Sequence, residues 1–194
     1  MCRCAGEQNH IERELNIGVH LWSGITANER MDWLLEKATE LGATTLLPIT
    51  AERSVLKLKG DRADKKLAHW QAIAMASSEQ CGRNRVLQVC SPATLSQAIA
   101  QLAVSPLQAA RWVLSLAPGN RSLQEMMQTL KTSKEAGQSK MSEIILLSGP
   151  EGGLSPAEEA QAIAAGFVPV SLGKRVLRAE TAPVAVLSAL SCWD

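Results

Sequence analysis

Ile144-Ile145-Leu146-Leu147-Ser148-Gly149-Pro150-Glu151-Gly152-Gly153-Leu154-Ser155-Pro156-Ala157-Glu158 reads as a buried strand, a glycine-rich loop and a capped helix in direct succession. Four apolar residues in a row, with no polar alternation, suit a strand covered on both faces. Ser155-x-x-Glu158 is a capping box with proline at the first helical position, so a helix starts there and runs to Gly166. Phe167 to Ser171 returns as a strand. A second loop follows, Ser171-Leu172-Gly173-Lys174-Arg175-Val176-Leu177-Arg178-Ala179-Glu180-Thr181. The last helix, Thr181 to about Trp193, tolerates Pro183 in its first turn. Two loops rich in glycine and charge, each leaving the C-terminal end of a buried strand, describe a ligand site at the rim of a parallel sheet.

The same alternation extends toward the N-terminus. From Asn28 the apolar residues Met31, Leu34, Leu35, Ala38 and Leu41 fall on one helical face, and Gly42 stands where a C-cap belongs. Thr44 to Ile49 reads as a strand, and Asp61 to about Cys81 as a long amphipathic helix with Leu67, Trp70, Ile73 and Ala74 inward. A short strand near Val86 to Val89, a helix over Thr94 to Ala103, a strand over Trp112 to Leu116 and a helix over Leu123 to Leu130 follow. The polar run from Lys131 to Ser142 reads as a surface loop. Ile17 to Trp22 suits one short strand, placed at a frayed edge. Strands alternating with helices predict an α/β fold, a parallel sheet with helices on both faces.

Composition bounds the function classes. The 194 residues, 46% of them hydrophobic, suffice for one well-filled core. A net charge of +1 leaves no global attraction for nucleic acid, so any such contact has to come from a local patch. Cys2, Cys4, Cys81, Cys90 and Cys192 form no C-x-x-C pair, which disfavours both a disulfide framework and a zinc site. His10, His20 and His69 show no mutual metal-binding spacing, so no metal is expected. No apolar stretch approaches a membrane span and the start lacks a signal-peptide core, so the expected location is cytoplasmic.

Alone, the Gly149, Gly152 and Gly153 cluster is equally consistent with a turn before a capped helix. Glu151, held where a helix start exposes backbone N–H groups, favours a ligand, and the absence of G-x-x-x-x-G-K-[ST] and G-x-G-x-x-G disfavours a triphosphate or a dinucleotide. Arg53, Lys57, Lys59, Arg62, Lys65 and Lys66 make a local basic concentration, with Arg83 and Arg85 beside it: an RNA backbone track or a solvated face. The five tryptophans suit core or interface positions better than base stacking.

Taken together, Gly149-Pro150-Glu151-Gly152-Gly153, Ser155-x-x-Glu158 with Gly166-Phe167, and Leu172-Gly173-Lys174-Arg175-Val176-Leu177-Arg178-Ala179-Glu180-Thr181-Ala182 resemble the 16S ribosomal RNA uridine-N3 methyltransferases of the SPOUT superfamily of knotted enzymes. Arg30-Met31-Asp32-Trp33, Lys37 to Gly42, Glu52-Arg53-Ser54 and Glu79-Gln80-Cys81-Gly82-Arg83 extend the resemblance, which covers about Asn16 to the end. It implies a C-terminal deep trefoil knot, an exception to the rule that chains avoid threading. It also implies S-adenosylmethionine as cofactor, a homodimer, and 16S ribosomal RNA or the small ribosomal subunit as partner. The cofactor would be held by Leu114, Leu116, Gly149, Pro150, Glu151, Gly152, Leu172, Gly173, Arg175, Leu177 and Thr181, and RNA by Arg53, Arg83 and Arg85.

Methyl transfer to N3 requires in-line alignment and loss of the imide proton. Arg178 is the expected cation that stabilises the N3 anion. Glu180 is either a base, a group that orients the arginine, or half of a structural ion pair. The family carries an N-terminal barrel resembling the PUA RNA-binding fold, whereas Met1 to Glu14 do not resemble it. Residues 1–22 are expected to be a remnant of that barrel or an unrelated stub, with the knotted domain over 23–194. Two readings follow: an active RNA methyltransferase, or a non-catalytic dimeric module that binds cofactor or ribosome without the barrel.

Overall fold

The computed structural model describes residues 11–56, 58, 60–104, 107–135 and 143–192. Cys2, Cys4, His10, Lys57, Lys59, Trp193 and residues 136–142, named above, lie outside the described residues. Seven strands form one parallel sheet: β1 (Gly18–Gly24), β2 (Thr45–Ile49), β3 (Gln88–Val89), β4 (Ala110–Leu114), β5 (Arg121–Ser122), β6 (Glu143–Ser148) and β7 (Val168–Ser171), in the spatial order β3-β2-β1-β6-β4-β7-β5. Among the described residues, five helices connect strands, α1 (Asn28–Glu40), α2 (Asp61–Cys81), α3 (Leu95–Val104), α4 (Leu123–Glu135) and α5 (Pro156–Ala164), and a sixth, α6 (Thr181–Ser191), follows β7.

Both faces of the sheet are covered, as the unbroken apolar run of β6 requires. Ile144 and Leu146 pack into one cluster with Met31 and Leu34 of α1, Trp70 of α2, Met126 of α4 and Leu187 of α6. Ile145 and Leu147 point the other way, into a second cluster with Leu95 of α3, Ala162 of α5 and Phe167. The period-2 pleat thus feeds two cores from one strand.

Two expectations are corrected. Residues 18–22, assigned to a stub at a frayed edge, are most of β1. This strand is central, with His20 opposite Thr45 of β2 on one side and Ile145 of β6 on the other. The boundary at residues 22 and 23 therefore cuts through the sheet and does not stand. The loop expected from Lys131 is helix as far as Glu135, because Met126 and Leu130 keep a buried face while Lys131 and Thr132 project outward. Of the tryptophans expected at core or interface positions, Trp22, Trp70 and Trp112 are buried and Trp33 is 40% exposed.

Candidate functional site

Because the strands are parallel, the chain leaves every strand on one rim of the sheet and enters it on the other. β6, β4 and β7 are neighbours, so their exits, Ser148, Leu114 and Ser171, converge. Between them lies an open, solvent-connected cleft of about 160 Å³. Of the expected cofactor residues, Leu114, Leu116, Gly149, Pro150, Glu151, Leu172, Arg175 and Leu177 line it. Ser115, Ser148, Gly153, Leu154, Val170, Val176, Ala179 and Ala182 complete the lining, most of them loop neighbours of residues the sequence had singled out.

Gly152, Gly173 and Thr181 belong to the same loops but are not among the residues that line the cleft. Gly152 faces Arg53, whose Cβ would lie 3.0 Å from any added side-chain carbon. Gly173 turns the chain at φ +101°, a conformation that favours glycine. Thr181 opens α6, its N–H donating to Arg178 O at 3.0 Å.

Close packing shapes the first loop. A Cβ on Gly149 would sit 2.7 Å from the backbone N of Leu154. One on Gly24, at the end of β1, would sit 2.3 Å from the backbone N of Pro150. Both contacts are with main chain, which cannot swing aside. Gly24 carried no signal in the sequence, because its neighbour is set by the β1–β6 register, Ser23 opposite Ser148. Arg53 then closes the loop from outside, donating from Nη1 to Gly152 O at 3.0 Å. Glu158 adds a second tie: one carboxylate oxygen completes the helix cap on Ser155 N and the other accepts from Glu52 N, both at 2.9 Å.

The charged groups are arranged differently from expectation. Glu151 accepts from Ala27 N at 2.9 Å and from Arg30 Nη1 at 3.3 Å. Glu180, 8% exposed, pairs with Arg30 Nε at 4.0 Å and not with Arg178. Arg178 is exposed, and its guanidinium has no hydrogen-bond or ion-pair partner among the described residues. Glu180 therefore does not orient Arg178 here. Arg30, quoted only as part of a motif, is the cation that the sequence reading left without a role.

The proposed RNA arginines separate. Arg53 lies on the strand-exit rim with the cleft. Arg83 and Arg85 precede β3 and so lie on the opposite rim. The Arg83 guanidinium is buried in an ion pair with Glu14 and donates to Thr39 O at 3.1 Å and Ala43 O at 2.7 Å. An RNA contact by Arg83 is corrected to a structural brace. Burial alone would raise the Glu14 pKa, but hydrogen bonds and charge from Arg83, with backbone N–H groups of Arg85 and Asn84, hold it below its ordinary value of 4.5.

Among the described residues no group of three or more His, Cys, Asp or Glu is placed to hold a metal ion, and no helix is long and apolar enough to cross a membrane. His20 instead bonds Glu143 and Thr45, each at 2.9 Å.

The RNA methyltransferase domain family matches residues 13–191. The chain is 34% identical over 185 residues to the ribosomal RNA small subunit methyltransferase E of Bacillus subtilis, covering 95% of this chain and 70% of that protein. It is 34% identical over 190 residues to the Synechocystis protein of the same name, covering 95% and 55% respectively. The Neisseria gonorrhoeae enzyme, solved bound to S-adenosyl methionine, superposes with a TM-score of 0.78 at 33% identity, over 93% of this chain and 68% of that one. This chain therefore spans 55 to 70% of the length of these proteins. On a match running from ahead of β1 to the end of α6, the chain belongs to the RNA methyltransferase domain family.

Proposed function

We propose that this chain transfers a methyl group from S-adenosylmethionine to N3 of a uridine in the 16S ribosomal RNA of the small subunit, in the cytoplasm, as a homodimer and without a metal. The observation that carries the reading is the cleft at the joined exits of β4, β6 and β7, in a chain whose relatives are ribosomal RNA small subunit methyltransferases. On this reading the segment from β6 to α6 is threaded as the trefoil knot of the SPOUT superfamily.

The residues present fit the cofactor. Leu114, Leu116, Leu172 and Leu177 supply apolar wall for an adenosine, and Glu151 supplies a carboxylate for a cationic group or an N–H donor. The Glu151 Oε2 atom is buried without a hydrogen-bond partner, and such an atom calls for a donor that a ligand can bring. When bound, S-adenosylmethionine supplies a methyl group activated by its sulfonium.

The chain's own task is alignment and management of one proton. The Gly149–Gly153 loop, pinned by Gly24 and Arg53, fixes the floor against which a methyl donor and an acceptor are held in line. Arg178, exposed and without a side-chain partner among the described residues, lies between the lining residues Leu177 and Ala179; on this reading it stabilises the anion at uridine N3 as water takes the proton. Glu180 is assigned to bracing. For RNA contact, Arg53 with the exposed Arg62 and Lys65 at the start of α2 lies on the cleft rim.

The test is incorporation of labelled methyl from S-adenosylmethionine into small and large ribosomal subunits lacking the modification. Label in the small subunit alone is expected. Cofactor binding without transfer to either subunit would favour a non-catalytic module over an enzyme.

A further inference from the structure

Arg30 stands at the N-terminal turn of α1, outside every loop that forms the cleft, yet it touches a carboxylate from each of the two C-terminal loops. Its Nη1 donates to Glu151 Oε1 at 3.3 Å, and its Nε lies 4.0 Å from Glu180 Oε1. In both glutamates the other oxygen, Oε2, is buried and has no partner, and the Oγ1 of the nearby buried Thr26 is in the same condition. Two carboxylates share one guanidinium, so the cluster has one negative charge more than positive. An ammonium has one charged nitrogen, whereas a planar guanidinium offers several donors on one rigid frame and can serve two acceptors at once.

We propose that Arg30 is a positioning residue for the reaction: by holding one oxygen each of Glu151 and Glu180, it fixes Glu151 in the wall of the cleft with its second oxygen free to accept from the bound cofactor. The inference rests on the methyltransferase reading. Arg30 touches no reacting atom and acts through Glu151. Without it, two acidic side chains face each other at the cleft edge with one backbone N–H, that of Ala27, left to orient Glu151. The Arg30 side chain is 45% exposed, so replacing it costs the core little.

The experiment is a double-mutant cycle on the full chain, reading the S-adenosylmethionine dissociation constant by calorimetry, methyl transfer to small ribosomal subunits, and thermal midpoint. Arg30→Ala and Glu151→Gln are each expected to weaken cofactor binding about 10-fold, and the double variant no more than either alone, the signature of coupled residues. Arg30→Lys, which keeps the charge and loses the fork, is expected to behave like Arg30→Ala, and it provides the same reading if the alanine variant does not fold. The thermal midpoint is expected to stay near that of the wild type. Unchanged binding and transfer in Arg30→Lys, or losses that multiply in the double variant, would overturn the positioning role. A wild-type chain that binds no cofactor would overturn the methyltransferase reading itself, and the inference with it.

Discussion

Two glycines and one arginine separate the tasks of the site at the level of single residues. Gly149→Ala puts a carbon where the Leu154 backbone already stands, and Gly24→Ala puts one against Pro150. Both substitutions are expected to displace the loop and weaken S-adenosylmethionine binding by at least about 10-fold in calorimetry, since main chain cannot yield as a flexible side chain does. Binding unchanged in Gly24→Ala would show that the loop is not pinned from β1. Arg178→Ala is expected to leave cofactor affinity within about threefold and to lower the transfer rate by at least about 100-fold, the scale for losing one stabilising group at a developing anion. Equal loss of binding and transfer would refute that division. The sequence revealed the glycine-rich loop and Arg178 because their motifs are contiguous. It did not reveal Gly24 or Arg30, whose partners are 125 or so residues away and are set by strand register.

The helix starts were the most legible elements. Three of them use the same reciprocal cap: Thr94 with Gln97 at α3, Ser122 with Glu125 at α4, and Ser155 with Glu158 at α5. Such a cap is local chemistry and can be read from four residues. The end of α4 was not legible, because Lys131 and Thr132 are polar and exposed without breaking the helix. The two-residue strand β5 was missed for a different reason: its existence depends on pairing Arg121 with Val170, a contact that no local pattern announces. The α5 cap has a consequence beyond its own helix. Ser155→Ala is expected to cost about 1 kcal/mol in denaturant melts. Glu158→Ala also breaks the bond from the exposed Glu52 N–H and is expected to cost about 1.5 kcal/mol, the capping loss plus one hydrogen bond exchanged for water. Equal costs for the two would show that the tie to Glu52 contributes nothing.

At the scale of the whole molecule, the two rims of the sheet have different work. The strand-exit rim carries the cleft, the Arg30 cluster and Arg53; the opposite rim carries the Arg83–Glu14 pair, which fastens the segment before β1 to the turn before β3. Fold class was legible because helix and strand periods alternate along the chain. Strand order was not, and with it went the central place of β1 and the burial of Arg83, which read in sequence as one more basic side chain. The pair also sets a pH dependence. Glu14 has a folded-state pKa depressed below its ordinary value, so its stabilisation is present above the unfolded value and is lost as pH falls through the folded one. Unfolding free energy is therefore expected to fall as the pH drops below the ordinary value of 4.5. Glu14→Gln should flatten that limb and cost about 3 kcal/mol at neutral pH by leaving a buried guanidinium uncompensated. An unaltered acid limb would exclude Glu14 as its source. The most direct test of the enzyme's activity is nucleoside mass spectrometry of 16S ribosomal RNA from unmodified small subunits incubated with this chain and S-adenosylmethionine. 3-Methyluridine at one position is expected with the wild type and at most about one hundredth as much with Arg178→Ala. Methylation on a different atom or base, or no product from a folded chain that binds the cofactor, would contradict the proposed transfer to uridine N3.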